Sequence, residues 1–136
     1  MKQEHELHVL FTNRIDELWR RHLDAVTEEL RREGIELMVH QAPSADPEEL
    51  AAAQVAVGGG ITPELLEQTP SLEAVLVPFT GVNNLPLADL CARGIRLANT
   101  HGNARSVAEH VMALLLSFYG QLCRFDADLR ADRWHG

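Results

Sequence analysis

The chain has 136 residues, 46% of them apolar, which is enough for one domain with a hydrophobic core. Its net charge of −8 argues against a nucleic-acid backbone or an anionic membrane as partner. Lys2 is the only lysine among the twelve basic residues, so a lysine Schiff base has almost no foothold. Cys91 and Cys123 lie far apart and outside any CxxC or other metal-type spacing, and the plain reading is two buried, reduced thiols. The start, MKQEHELHVLF, carries acidic residues and no long apolar stretch, so it does not read as a signal peptide. No apolar run approaches the roughly 20 residues of a membrane span. A reducing, cytoplasmic setting is expected.

Leu7–Phe11 reads as a first strand, with Thr12 and Asn13 able to cap the next helix. From Ile15, the residues Leu18, Trp19, His22, Val26 and Leu30 recur at three- and four-residue steps. They predict an amphipathic helix ending near Gly34. Ile35–Val39 is a second strand. Asp46-Pro47-Glu48-Glu49 starts a short helix, with Asp as cap and Pro in the first turn. Val55–Val57 is a third strand, closed by Gly58-Gly59-Gly60. Thr62-Pro63-Glu64 starts another short helix, which Pro70 ends. Val75–Val77 is strand four, Leu87–Ala92 a helix and Ile95–Ala98 strand five. Ser106–Tyr119 is the longest apolar helix, and a last helix covers about Cys123–Arg130.

Five strand–helix units without an internal repeat predict an α/β fold. The expected architecture is a three-layer sandwich around a parallel five-stranded, flavodoxin-like sheet. In such sheets ligands sit beyond the carboxyl ends of the strands. That directs attention to the loops Pro78–Asn84 and Asn99–Arg105. Several chemistries of this architecture lack their residues. No GxxxxGK[ST] phosphate loop occurs, and the Gly58–Gly60 run lacks the third glycine of GxGxxG and leads into Pro63. The plain reading of that run is a tight turn needing positive φ. No HExxH spacing joins His101, Glu109 and His110, so zinc is not expected. Glu109 reads as a first-turn carboxylate favoured by the helix dipole, with Ser106 as a possible cap. Asn103 precedes a helix N-terminus, where backbone N–H groups favour an anion. Gly81 lets the backbone approach a ligand closely. The two loops therefore read either as a carboxylate site built of neutral donors or as plain turns.

The stretch FTGVNNLPLADLCARGIRLANTHGNARSVAEHVMALLLS resembles the substrate-domain signature of the NAD(P)-dependent D-2-hydroxyacid dehydrogenases. That family includes phosphoglycerate, glyoxylate/hydroxypyruvate, D-lactate and formate dehydrogenases. The close matches run from about Leu72 to Trp134, and the SVAEH block in Ser106–His110, placed after RGIRLANT, is the specific part. The resemblance implies a two-domain enzyme whose first strands and helices form the substrate domain. Residues 1–136 would be that domain, and residues 106–136 a helical crossover toward a nucleotide-binding domain. It implies that backbone amides at Gly81 and Val82 meet the substrate carboxylate, and that Asn103 lines the same pocket. NAD or NADP would be held by the other domain and not by this chain.

The departure from the pattern is that the dinucleotide fingerprint and the catalytic Arg, acid and His of the family all lie beyond Gly136. No catalytic residue, cofactor ligand or metal ligand is therefore expected in these 136 residues. The expected function is the substrate-binding half of a truncated D-2-hydroxyacid dehydrogenase, holding a small 2-oxo or 2-hydroxy acid and inactive alone. The alternative is a stand-alone anion-binding or oligomerisation module on the same fold. Val111–Leu116 makes the helix Ser106–Tyr119 apolar all round, so a homodimer through this helix and the segment Gln121–Gly136 is expected.

Overall fold

Side chains along β1 (His5–Phe11) alternate between two faces, as the two-residue repeat of a strand requires. Leu7, Val9 and Phe11 take one face, with Trp19 and Leu23 of α1 (Glu17–Arg32) packed against them. Leu10 takes the other and is fully buried with Leu50 and Ala53 around α2 (Pro47–Ala52). The structure, a computed structural model, describes residues 5–134. The N-terminal residues 1–4 and the last two residues of the expected crossover lie outside that range.

The remaining elements are β2 (Ile35–Gln41), β3 (Val55–Val57), α3 (Pro63–Gln68), β4 (Ala74–Val77), α4 (Leu87–Ala92), β5 (Arg96–Asn99), α5 (Ala104–Tyr119) and α6 (Leu122–Arg130). All five strands pair in parallel in the order β2-β1-β3-β4-β5. Leu10 faces Ala56, which faces Val75, which faces Leu97, so one row of the pleat runs across four strands. Ala56 and Val75 of that row, with Leu66 of α3, Leu90 of α4 and Ile95, belong to the largest core cluster, against which Leu97 packs, while Leu10 belongs to the cluster around α2. α1 thus covers one face and α2, α3 and α4 the other, giving the expected three layers. The chain divides into two compact units, Met1–Thr100 with the sheet and α1–α4, and His101–Gly136 with α5 and α6.

Local chemistry accounts for most helix starts. Asp46 accepts from the Glu48 and Glu49 N–H groups at 3.0 and 2.9 Å, and Glu49 accepts in return from the Asp46 N–H at 3.0 Å. Thr62 accepts from the Leu65 N–H at 3.2 Å. The start of α1 differs from expectation. Asp16 is its cap, accepting from the Trp19 N–H at 2.9 Å, because Thr12 and Asn13 are drawn to the β3 end. Leu18, counted in the apolar stripe, points outward with 61% of its surface exposed, while Leu23 takes the inward place. Cys91 and Cys123 are both exposed free thiols, which corrects the reading of buried ones. Each sits on a helix side that its own unit leaves open.

His40 is buried on the α2 side of the sheet. His40 Nε2 lies 3.1 Å from His8 Nδ1, and the outer ring nitrogens reach Glu49 and Glu6 at 3.1 and 3.2 Å. Glu49 therefore caps α2 with one oxygen and holds His40 with the other. Arg93 closes the far end of α3, its guanidinium donating to the Leu66 and Thr69 carbonyls. On the α1 face, cover stops short of β4 and β5. There Leu76 and Ala98 line an apolar groove of about 590 Å3 together with Phe11, Val26, Leu37 and Val57, and Leu76 is exposed.

Leu10→Ala is expected to cost about 2–5 kcal/mol through the cavity it leaves, against about 1 kcal/mol for Asp46→Ala, which removes only a cap. Urea unfolding of both variants would show that order. The Glu64 carboxyl sits below the usual carboxylate range, held chiefly by its own backbone N–H and then by the Thr62 hydroxyl. Its small contribution to stability is present above the ordinary glutamate range and is lost as pH falls through the lowered value. An NMR titration should find Glu64 among the last carboxylates to protonate, and Thr62→Ala should move its midpoint upward.

Candidate carboxylate site at the strand ends

Hydrogen bonds tie the loop after β4 to the end of β5. The Thr100 N–H donates to the Val77 carbonyl at 3.2 Å, which extends the ladder one step beyond the strands. The Asn99 side-chain amide donates to the Thr80 carbonyl at 2.7 Å. The Thr80 hydroxyl donates to the Thr100 carbonyl at 3.4 Å. Farther along, Val82 packs its side chain against the main core cluster, and its carbonyl accepts from the Leu85 N–H at 3.1 Å. The loop is thus anchored on both sides of Gly81.

Between those anchors the backbone is open. Among the described residues, neither the Gly81 N–H nor the Val82 N–H donates a hydrogen bond. A Cβ built at Gly81 would meet nothing within 4 Å, and its φ lies outside the left-handed region. Gly81 is therefore not required by the turn itself. Two adjacent amides are thus open donors beyond the carboxyl end of a parallel strand, where sheets of this kind take their ligands.

The glycine run after β3 is organised differently. Gly58 has φ +129°, which supports the turn reading at that position. Its N–H donates to the Leu76 carbonyl at 2.9 Å, and the Gly60 N–H donates to the Thr12 hydroxyl at 3.1 Å. The Phe79 ring rests against Gly59, where a Cβ would collide with it. With two of its three amides engaged and its Cα surface covered, this run does not fit a pyrophosphate. The helix after it has six residues and opens with Pro63.

Asn103 belongs to the second unit, where it is the N-cap residue of α5. Its carbonyl accepts from the Val107 N–H at 2.9 Å, and the Ala104 N–H closes a turn onto the His101 carbonyl at 2.9 Å. Ser106 lies inside the helix and is not its cap. Glu109 is in the second turn and pairs with Arg105 at 2.8 Å, an exposed i, i+4 contact worth about 0.3–0.5 kcal/mol. Among the described residues no group of three or more His, Cys, Asp or Glu side chains is placed to hold a metal ion. Sequence reasoning assigned no role to Asn99, although it stands in the RGIRLANT stretch. The only signal available was a polar side chain at a strand end.

The chain belongs to the D-isomer specific 2-hydroxyacid dehydrogenases, for the catalytic domain of that family matches residues 9–124. A D-3-phosphoglycerate dehydrogenase of Mycobacterium leprae is 34% identical over 99 residues, covering 72% of this chain and 16% of that protein. A glyoxylate/hydroxypyruvate reductase of Arabidopsis thaliana is 33% identical over 97 residues, covering 68% of this chain and 30% of that protein. The chain therefore spans less than a third of the length of these two relatives. In fold it is similar to a 2-hydroxyacid dehydrogenase from Ketogulonicigenium vulgare, with a TM-score of 0.70 and 22% identity over 98% of this chain and 43% of that one. It is also similar to a D-lactate dehydrogenase from Aquifex aeolicus solved with NAD and lactic acid, with a TM-score of 0.67 and 22% identity over 94% of this chain and 38% of that one.

Three glycine substitutions separate the constraints at these loops. Gly58→Ala combines positive φ with contact against Thr12 and Asn13, and is expected to cost about 1–3 kcal/mol or more. Gly34→Ala meets only the conformational penalty, since its Cβ would enter open space at φ +84°. Gly81→Ala should leave stability within about 0.5 kcal/mol. Thermal unfolding of the three would give that ranking.

Proposed function

We propose that this chain is the substrate-binding half of an NAD(P)-dependent D-2-hydroxyacid dehydrogenase, and that it holds a small 2-oxo or 2-hydroxy acid by its carboxylate. The observation that carries this reading is the pair of unengaged amides at Gly81 and Val82, placed where a parallel α/β sheet takes its ligands. Asn103, the N-cap residue of α5, is the candidate polar residue of the second unit for the same function. The nicotinamide cofactor is held by a separate nucleotide-binding domain, because the Gly58–Gly60 run here has two of its three amides in use and its middle residue covered by Phe79. The groups that move hydride and proton likewise lie outside these residues, so the chain alone does not turn over.

A net hydrogen bond is worth only about 0.5–1.5 kcal/mol. Two neutral amides therefore leave the acid bound more weakly than about 1 mM. The full enzyme needs a cationic partner for the carboxylate. We further propose that the chain pairs with a second copy through α5, where Val111, Leu114, Leu115, Leu116 and Phe118 are all exposed. At roughly 25 cal/mol per Å2, burying several hundred Å2 per chain offers several kcal/mol before association costs. No helix among the described residues is long and apolar enough to cross a membrane. Two exposed free thiols suit a reducing compartment, and we place the protein in the cytoplasm.

Titration of the 15N-labelled chain with glyoxylate should shift the Gly81 and Val82 amides without saturating below about 1 mM. NADH should give no saturable binding and no turnover. Shifts clustered at Thr12 or Gly58 would count against the site. Light scattering over a dilution series should reveal a monomer–dimer equilibrium that Leu114→Glu shifts to monomer.

A further inference from the structure

A peptide unit is rigid and trans, so its C=O and its N–H point in opposite directions. The carbonyl of Thr80 and the N–H of Gly81 belong to one such unit. Whatever holds that carbonyl also aims that N–H. The holder is Asn99, whose side-chain amide reaches the Thr80 oxygen at 2.7 Å. Asn99 is itself placed by the sheet, since it pairs with Val77 at the end of the β4–β5 ladder. The direction of the Gly81 N–H is thus referred to the parallel sheet through one side chain.

We propose that Asn99 is a positioning residue for the carboxylate site: by holding the Thr80 carbonyl it turns the Gly81 N–H away from β5 and out toward the ligand. This inference rests on the reading of Gly81 as a carboxylate donor. The one bond has two effects. The peptide plane loses its freedom to rotate, so the donor is set before the ligand arrives. A carbonyl that accepts a hydrogen bond also makes the N–H of its own amide a stronger donor, as in any polarised chain of such bonds. Two further links, from Thr100 N–H to Val77 and from the Thr80 hydroxyl to Thr100, hold the loop in place but touch neither end of this peptide unit. An aspartate at position 99 would keep the shape and set a carboxylate oxygen against the carbonyl, so the plane should flip or swing.

The test uses the whole chain labelled with 15N and 13C. In the unchanged protein a scalar coupling across the hydrogen bond should link the Asn99 side-chain nitrogen to the Thr80 carbonyl carbon. Asn99→Asp and Asn99→Ala should move the Gly81 amide resonance strongly while leaving Val9 and Leu10 of β1 in place. Glyoxylate affinity should fall roughly 3- to 10-fold, the worth of about one hydrogen bond. Asn99→Ser, which keeps a shorter donor, should recover part of that loss. A residue that only stabilised the fold would lower the unfolding midpoint but leave affinity unchanged well below it. Absence of the coupling in the unchanged protein overturns the proposal, and it decides even if the variants fail to fold. A Gly81 resonance unmoved in folded Asn99→Asp also overturns it. If the variants move Gly81 but glyoxylate leaves Gly81 and Val82 untouched in the unchanged protein, the positioning bond stands and the carboxylate reading falls.

Discussion

The Phe11 carbonyl accepts from the Ala42 N–H at 2.9 Å on one side of β1, while the Val57 carbonyl accepts from the Thr12 N–H at 2.9 Å on the other. These bonds are the last rungs of the two parallel ladders that flank β1. A parallel ladder has no slack in register, since a slip of one residue would turn Leu10 out of the core and His8 into the opposite face. With β1 fixed between β2 and β3, every strand delivers its chain to the same edge of the sheet. The loops that come after β1, β3, β4 and β5 meet there because they have no other place to go.

At that edge the decisive quantity is which backbone amides are already in use. The Gly58–Gly60 run has the composition of an anion loop, yet the Leu76 carbonyl and the Thr12 hydroxyl take two of its donors, and the Phe79 ring covers the middle residue. The Gly81–Val82 pair has a less suggestive composition and keeps both donors open. A site made of neutral donors binds weakly but imposes no charge that would have to be buried in the free protein. The function proposed above, in which a second domain supplies the charge, follows from that weakness.

Apolar surface is distributed to match. In the first unit, cover on the α1 face ends before Leu76 and Ala98, leaving a groove of about 590 Å3. In the second, no residue of α5 is buried. Exposed apolar surface of this kind on α5 is what the proposed pairing of two copies would bury.

Short-range chemistry was legible in the sequence. Asp46-Pro47 and Thr62-Pro63 start helices as their residue types dictate, and α4 spans the expected Leu87–Ala92, because caps and first turns involve residues two or three apart. The strand–helix alternation determined a parallel sheet, because a crossover through a helix returns the chain to run in the same direction. Some finer readings failed. Thr12 and Asn13 were free to cap α1 until the β3 end claimed them; both cysteines counted as core until their helices proved open on that side; Ser106 was a cap until the helix began two residues earlier. Asn99 and Thr80 lie 19 positions apart, and nothing in either residue announces the other. Only the pairing of β4 with β5 brings that amide to that carbonyl, so the direction of the Gly81 donor was decided by tertiary structure alone.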